Sequence, residues 1–154
     1  TYKSNDYTHM NRSINYMTAI RKELKLHIKF CKKWKISLNK LKKVKHLKSN
    51  RAYTDYVLRI GSMGSNLDLF TCLAPCIIGY GEIGFRLSKF KNSKKSKYSE
   101  WIKMYSSKEY QLVAKDNIDY LDQLFKTNKK NNFKKLLNYF RKATILEKNF
   151  WDMI

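Results

Sequence analysis

Apolar residues recur at helical intervals near the start of the chain. Met10, Ile14, Met17, then Ile20 or Arg21, Leu24, Ile28 and Cys31 are separated mostly by polar and basic positions. Steps of three and four predict an amphipathic helix over about 8–34. Residues 36–49 are densely basic and read as a connector or a short solvated helix. A second stripe, Arg51, Tyr53, Tyr56, Val57 and Ile60, predicts a helix capped by Asn50 and ending near Gly61 to Gly64. Ser65 with Asp68 three residues on has the spacing of a capping box. The stretch that follows, from Leu67 to Leu87, is apolar nearly all round, so it is expected to be a central buried helix. Pro75 inside it removes a backbone donor and predicts a kink. A polar link over 91–97 leads to a short helix around Trp101 to Tyr105. Ser106 to Glu109 reads as a capping box for a helix with the stripe Tyr110, Val113, Ile118, Leu121 and Phe125. After a loop over 126–132, a last helix carries Phe133, Leu136, Leu137, Phe140, Thr144, Glu147 and Phe150.

The result is an all-α chain, with five or six helices packed round a central one as a bundle. Composition agrees, because one Pro and five Gly in 154 residues are too few for the tight turns of an all-β domain. The length suits a single domain over 1–154. The three Cys, Cys31, Cys72 and Cys76, are an odd number without metal spacing. They favour a reducing, cytoplasmic setting over a disulfide framework. No run of about 18 apolar residues marks a membrane span, and no membrane partner is expected. The start, Thr1 to Asp6, lacks an apolar leader core. It also lacks an initiator Met, so the chain reads as a fragment or a trimmed form.

Charge changes the picture more. With 33 Lys and Arg against 12 Asp and Glu, the net charge is +21. Such a field attracts polyanions, and Lys35 to Lys48 offers phosphate contacts. The excess is mostly Lys scattered along the chain, which equally describes solvated helix faces. A basic nucleic-acid-binding role is therefore the alternative function, not the first.

Several side chains can carry chemistry. Cys76 follows Pro75 in the apolar helix, where a packing thiol and a nucleophile are both open readings. Tyr80 lies one turn on, on the same face, as a tuning phenol or as a core Tyr. Glu147 has Phe150 and Trp151 three and four residues on. A carboxyl on that face is desolvated and its pKa raised toward neutrality, which suits a general acid and base; otherwise it is exposed and pairs with a Lys. Tyr53 and Tyr56 flank Thr54 and Asp55 in a cluster suited to gripping a heteroaromatic ring, or to packing. Glu82 is expected to pair with Arg86. Glu23 and His27 form an i,i+4 pair without a third ligand, so no metal is assigned. Gly79, Gly81 and Gly84 lie in a helical pattern without a preceding strand, which favours close helix packing over a phosphate loop.

Taken together, five ordered segments resemble the thiaminase II (TenA) family. They are Glu23 to His27, Arg51 to Tyr56, Leu73 to Gly84 (LAPCIIGYGEIG), Trp101 to Tyr105, and Glu147 to Met153 (EKNFWDM). The resemblance implies the compact all-α fold of the haem-oxygenase-like type, without haem or another cofactor, assembled as a homotetramer. It implies hydrolysis of an aminopyrimidine, either 4-amino-5-aminomethyl-2-methylpyrimidine or thiamin, to hydroxymethylpyrimidine in thiamin salvage. By motif position Cys76 is the implied nucleophile and Glu147 the acid and base. Tyr53, Tyr80 and Tyr105 line the implied pocket, and Phe150 packs against the ring. By the resemblance, the family's N-terminal helices, with an Asp and Tyr that grip the aminopyrimidine, are expected to fall before the start of this chain. Asn5-Asp6-Tyr7 echoes that segment but lies too close to Tyr53. A chain without those helices is expected to leave its central helix partly uncovered and prone to association, or to be a non-catalytic pyrimidine-binding member.

Overall fold

The structure is a computed structural model that describes residues 7–128 and 132–153. It forms two compact units, residues 1–46 and 47–154. The first holds α1 (Tyr7–Lys33) and α2 (Leu38–Lys43). Lys35 at the end of α1 takes the left-handed conformation (φ 57°), and Ile36 N–H reaches back to the Cys31 carbonyl at 2.8 Å. This is the helix-terminating loop in which a residue past the end satisfies an orphan carbonyl. The predicted α1 stripe is present in register but does not form a core: Ile14, Met17, Ile20 and Leu24 are exposed, and Phe30 is buried. Periodicity reports which residues share a face, not whether a neighbour covers that face.

The second unit holds α3 (Lys48–Met63), α4 (Asn66–Ser88), a 3-10 turn (Ser93–Lys95), α5 (Ser99–Tyr105), α6 (Lys108–Thr127) and α7 (Phe133–Trp151). Among the described residues there is no strand, and the chain is an all-α bundle. α4 is the central element, in contact with α3, α5, α6 and α7, while α3 also packs on α7. Ser65 and Asp68 close the predicted capping box at the start of α4, each side chain meeting the other's backbone N–H. Gly64 is placed so tightly that an added Cβ would sit 2.7 Å from Asp68 Cβ.

Several expectations are corrected. α3 begins at Lys48, and Leu47 stands at its cap without a side-chain bond, so Asn50 is already inside the helix. Ser107 alone caps α6, accepting from Tyr110 N–H, because the helix starts one residue later than a Ser106–Glu109 box requires. The buried face of α6 is Ala114, Asn117, Tyr120 and Leu124, while Val113 and Ile118 face outward. The rotation has a steric cause. Small Ala114 meets Gly81 of α4 so closely that a Cβ on that glycine would lie 3.2 Å from the alanine methyl. By length and apolar composition alone α4 could cross a membrane, a property that the core helix of a bundle shares. Here four helices pack on it. The core is split between Leu67, Tyr120, Leu124 and Leu136 at one end and Ile60, Cys72 and Ala143 further along. The last turns of α4 are not enclosed, since Ile83, Phe85 and Leu87 are 38–45% exposed.

Candidate functional site

Glu147 lies on α7 with its side chain turned inward, and it is buried. Tyr80 of α4 donates a hydrogen bond to its Oε1, while Oε2 is buried without a hydrogen-bond partner. Burial therefore dominates and holds the carboxyl above the ordinary carboxylate range, against the opposing approach of Tyr80, Tyr53 and the Trp151 indole. Among the described residues no Lys or Arg offsets the desolvation, although the chain is rich in both.

One turn before Tyr80, the Cys76 thiol donates to the Leu73 carbonyl at 3.1 Å. Pro75 beside it is buried and has no N–H, so the Thr71 carbonyl loses its helical donor. Tyr53 of α3 points its hydroxyl toward the same place. That hydroxyl is buried without a hydrogen bond of good geometry, yet Cys76 and Glu147 both lie near enough to act on it. Burial first, then the Cys76 thiol, pushes Tyr53 far above the usual phenol range. Tyr80 is raised likewise by burial and by its bond to Glu147. Both phenols thus remain protonated donors at any ordinary pH. Three helices converge on this cluster: α3 with Tyr53, α4 with Cys76 and Tyr80, and α7 with Glu147.

Aromatic rings hold Tyr80 in place. Its ring centroid lies 5.3 Å from Tyr105, 5.8 Å from Trp101 and 5.7 Å from Trp151. Edge-to-face packing of this kind fixes a ring better than aliphatic contact does. Tyr105 is 1% exposed, so it supports Tyr80 from within the fold. α5 comes this close because α4 carries Gly84, where an added Cβ would sit 2.6 Å from Tyr105 Cβ. Phe150 is half-buried, and its ring meets Trp151 at 6.4 Å. Trp101 and Trp151 were not singled out as site residues from the sequence. The signal for Trp151 was its i+4 spacing from Glu147, and that for Trp101 its place at the head of the Trp101 to Tyr105 segment. Both line an apolar cavity of about 490 Å³ with Ile83, Leu87, Phe90 and Ile102.

The other candidates lie elsewhere. Tyr56 packs beside Cys72, where burial pushes the phenol to about 12 and the thiol to about 11. Asp55 is exposed. Glu82 pairs with Arg86 on the surface as expected, and His27 Nε2 lies 3.8 Å from Glu23 Oε1 in the first unit.

An all-α bundle that brings a half-buried Cys and two half-buried Tyr together with a buried, unbalanced Glu on three of its helices defines the class. The chain belongs to the TENA/THI-4/PQQC family, whose model matches residues 1–154. It is 34% identical over 155 residues to an aminopyrimidine aminohydrolase of Halalkalibacterium halodurans, an alignment covering 99% of this chain and 69% of that protein. A solved structure described as a TenA family transcription regulator from Silicibacter sp. TM1040 superposes with TM-score 0.91 at 34% identity. That match covers 99% of this chain and 70% of the other. A TenA homologue from P. horikoshii shares the fold, with TM-score 0.82 at 24% identity over 99% of this chain and 70% of its own.

Proposed function

We propose that this chain hydrolyses an aminopyrimidine in thiamin salvage, with Cys76 as nucleophile and Glu147 as acid and base. The observation that carries the reading is the buried, cation-free Glu147 carboxyl bonded to Tyr80, with Tyr53 placed to act on both Cys76 and Glu147. A second support is the relative named aminopyrimidine aminohydrolase at 34% identity.

In the proposed reaction the Cys76 thiol first passes its proton by way of Tyr53 to the Glu147 carboxylate, and the thiolate so formed adds to the pyrimidine ring through a new C–S bond. Ring aromaticity is lost, and the electron pair is pushed toward the exocyclic methylene. Protonated Glu147 gives its proton to the amine there, and the C–N bond breaks. Glu147, now a carboxylate, takes a proton from water as the oxygen adds to that methylene. The C–S bond then breaks and aromaticity returns. Overall, an aminomethyl group and water become a hydroxymethyl group and the free amine. Splitting one hard displacement in this way lowers each barrier. A carboxyl with a raised pKa is suited to both halves of the proton transfer. Tyr53, lying near both the thiol and the carboxyl, serves as their proton link. Tyr80 orients Glu147, Tyr105 backs Tyr80, and Phe150 contributes apolar surface near the ring.

The test is turnover of 4-amino-5-aminomethyl-2-methylpyrimidine and of thiamin by wild type and by Cys76→Ala. Hydrolysis lost in Cys76→Ala is the expected result, and the preferred substrate names the leaving group. Absence of turnover in the wild type overturns the reading. Steeply salt-dependent retention on DNA would then favour the polyanion-binding alternative drawn from the net charge of +21.

A further inference from the structure

Gln111, in the second turn of α6, stands outside the cluster but is bonded to the backbone that carries it. Its Nε2 donates to two carbonyls, Gly81 of α4 at 3.0 Å and Tyr105 of α5 at 2.8 Å. Both partners are obligate acceptors, so the amide nitrogen must face them. The Tyr105 carbonyl belongs to the last turn of α5, where the helix supplies no donor of its own. The Gly81 carbonyl lies within α4, which makes Gln111 an added donor there.

Beside it, Tyr110 donates its hydroxyl to the Ile77 carbonyl at 3.0 Å and packs edge-on against Tyr105, with centroids 4.6 Å apart. Ile77 and Gly81 are one turn apart, and they directly follow Cys76 and Tyr80 in the chain. Thus α6 grips α4 at the turn that presents both side chains. The same pair of residues holds α5 by the ring and the carbonyl of Tyr105. At Gly84 the two helices pack so closely that an added Cβ would lie 2.6 Å from Tyr105 Cβ, which leaves α5 no room to approach further.

We infer that Gln111, with Tyr110 beside it, is a positioning residue that sets Tyr105 beneath Tyr80 and thereby aims the Tyr80 hydroxyl at Glu147. The catalytic consequence rests on the function proposed above; the geometric one does not. Around the Glu147 carboxyl stand Tyr53 from α3, Tyr80 from α4 and Trp151 from its own helix, with Cys76 acting on both tyrosines. Tyr80 is the donor in hydrogen-bonding geometry, so a misaimed Tyr80 leaves the carboxylate less stabilised.

The experiment is a double-mutant cycle of Gln111→Leu with Tyr80→Phe, read first without substrate. Glu147 is titrated by NMR of carboxyl-13C glutamate, its signal assigned by Glu147→Gln, in variants shown by thermal melts to be folded. Gln111→Leu is expected to raise the Glu147 midpoint, Tyr80→Phe to raise it more, and the double variant to match Tyr80→Phe alone. On the aminopyrimidine, Gln111→Leu should lower kcat about tenfold, the scale of one weakened charge-assisted hydrogen bond, with KM little changed. An unchanged midpoint in folded Gln111→Leu, or an equal added shift in the Tyr80→Phe background, overturns the inference. Should Gln111→Leu not fold, Tyr110→Phe, which keeps the ring and loses the Ile77 bond, gives the same test with a smaller shift. A wild type that turns over neither substrate defeats the functional reading alone, because the titration still decides the positioning role.

Discussion

Among the described residues of the second unit two carboxylates, Asp68 and Glu147, are buried, and the fold treats them in opposite ways. Asp68, at the first turn of α4, is fully provided for. Its Oδ2 accepts from Ser65 N–H at 2.8 Å and from the Ser65 hydroxyl at 3.1 Å, and its Oδ1 lies 3.0 Å from Lys135 Nζ. Burial alone would raise its pKa, but the Ser65 backbone bond and Lys135 outweigh that and hold it below 3.8. Glu147, at the other end of the bundle, has one oxygen bonded to a phenol and one bonded to nothing, so burial wins. Burial raises both, and only at Asp68 are the partners strong enough to reverse the sign. The satisfied carboxylate ties α4 to α7 and caps a helix. The unsatisfied one is held between protonation states, as proton transfer requires.

The comparison breaks first at Glu147→Gln. If its proton does work, turnover falls by about 10²–10⁴, measured as kcat on the aminopyrimidine. Stability should move the other way. A folded-state pKa above 4.5 means that the contribution of Glu147 is fully present below that pH and is lost as pH rises through the folded value. The amide variant removes this loss, so its melting temperature exceeds that of wild type at neutral pH. Next, Tyr80→Phe removes the strongest donor to the carboxyl, leaving Tyr53 and Trp151. Activity should fall by about 10- to 100-fold, the range of a hydrogen bond to a charged group. The acidic limb of the pH–rate profile should move up, because the carboxylate has lost its stabiliser.

At the other end, Asp68→Asn should leave turnover per folded molecule unchanged and cost about 2 kcal/mol of stability, measured by urea unfolding at neutral pH. Its pH dependence is the mirror image. The Asp68 contribution is present above 3.8 and is lost as pH falls through its lower folded value, so variant and wild type converge in acid. The smallest effect belongs to Lys135→Met. That side chain is 45% exposed, and screening holds its loss below ~1 kcal/mol. Equal pH profiles for Asp68→Asn and Glu147→Gln would show the contrast to be false.

The two ends also differ in how far they could be read in advance. The Asp68 end is local: Ser65 and Asp68 are three residues apart, so the spacing alone predicted the box that the structure shows. Only Lys135, 67 residues away, was invisible. At the Glu147 end the spacing paired Cys76 with Tyr80 and Glu147 with its aromatic neighbours. It could not say that the two pairs meet, since that needs α4 and α7 to pack with those faces inward. Gln111 escaped notice for the same reason, and Trp101 was named only as part of a helix and a segment, without a role. An aromatic or an amide in an amphipathic helix is common, and only its distance to a backbone carbonyl or a ring on another helix gives it a role.

Sequence by itself determined the helices, because periodicity, capping residues and the scarcity of Pro and Gly are local properties that each segment carries with it. The faces were less secure. The stripe on α1 was in register but lies exposed, and that on α6 was turned by the contact of Ala114 with Gly81. Tertiary structure decided which carboxylate would be satisfied. Hydrogen-bond partners and solvent exclusion are set by distances between helices, and a pKa follows from both. The cation that neutralises Asp68 and the lack of one at Glu147 are facts of packing, in a chain whose composition would have supplied a lysine to either.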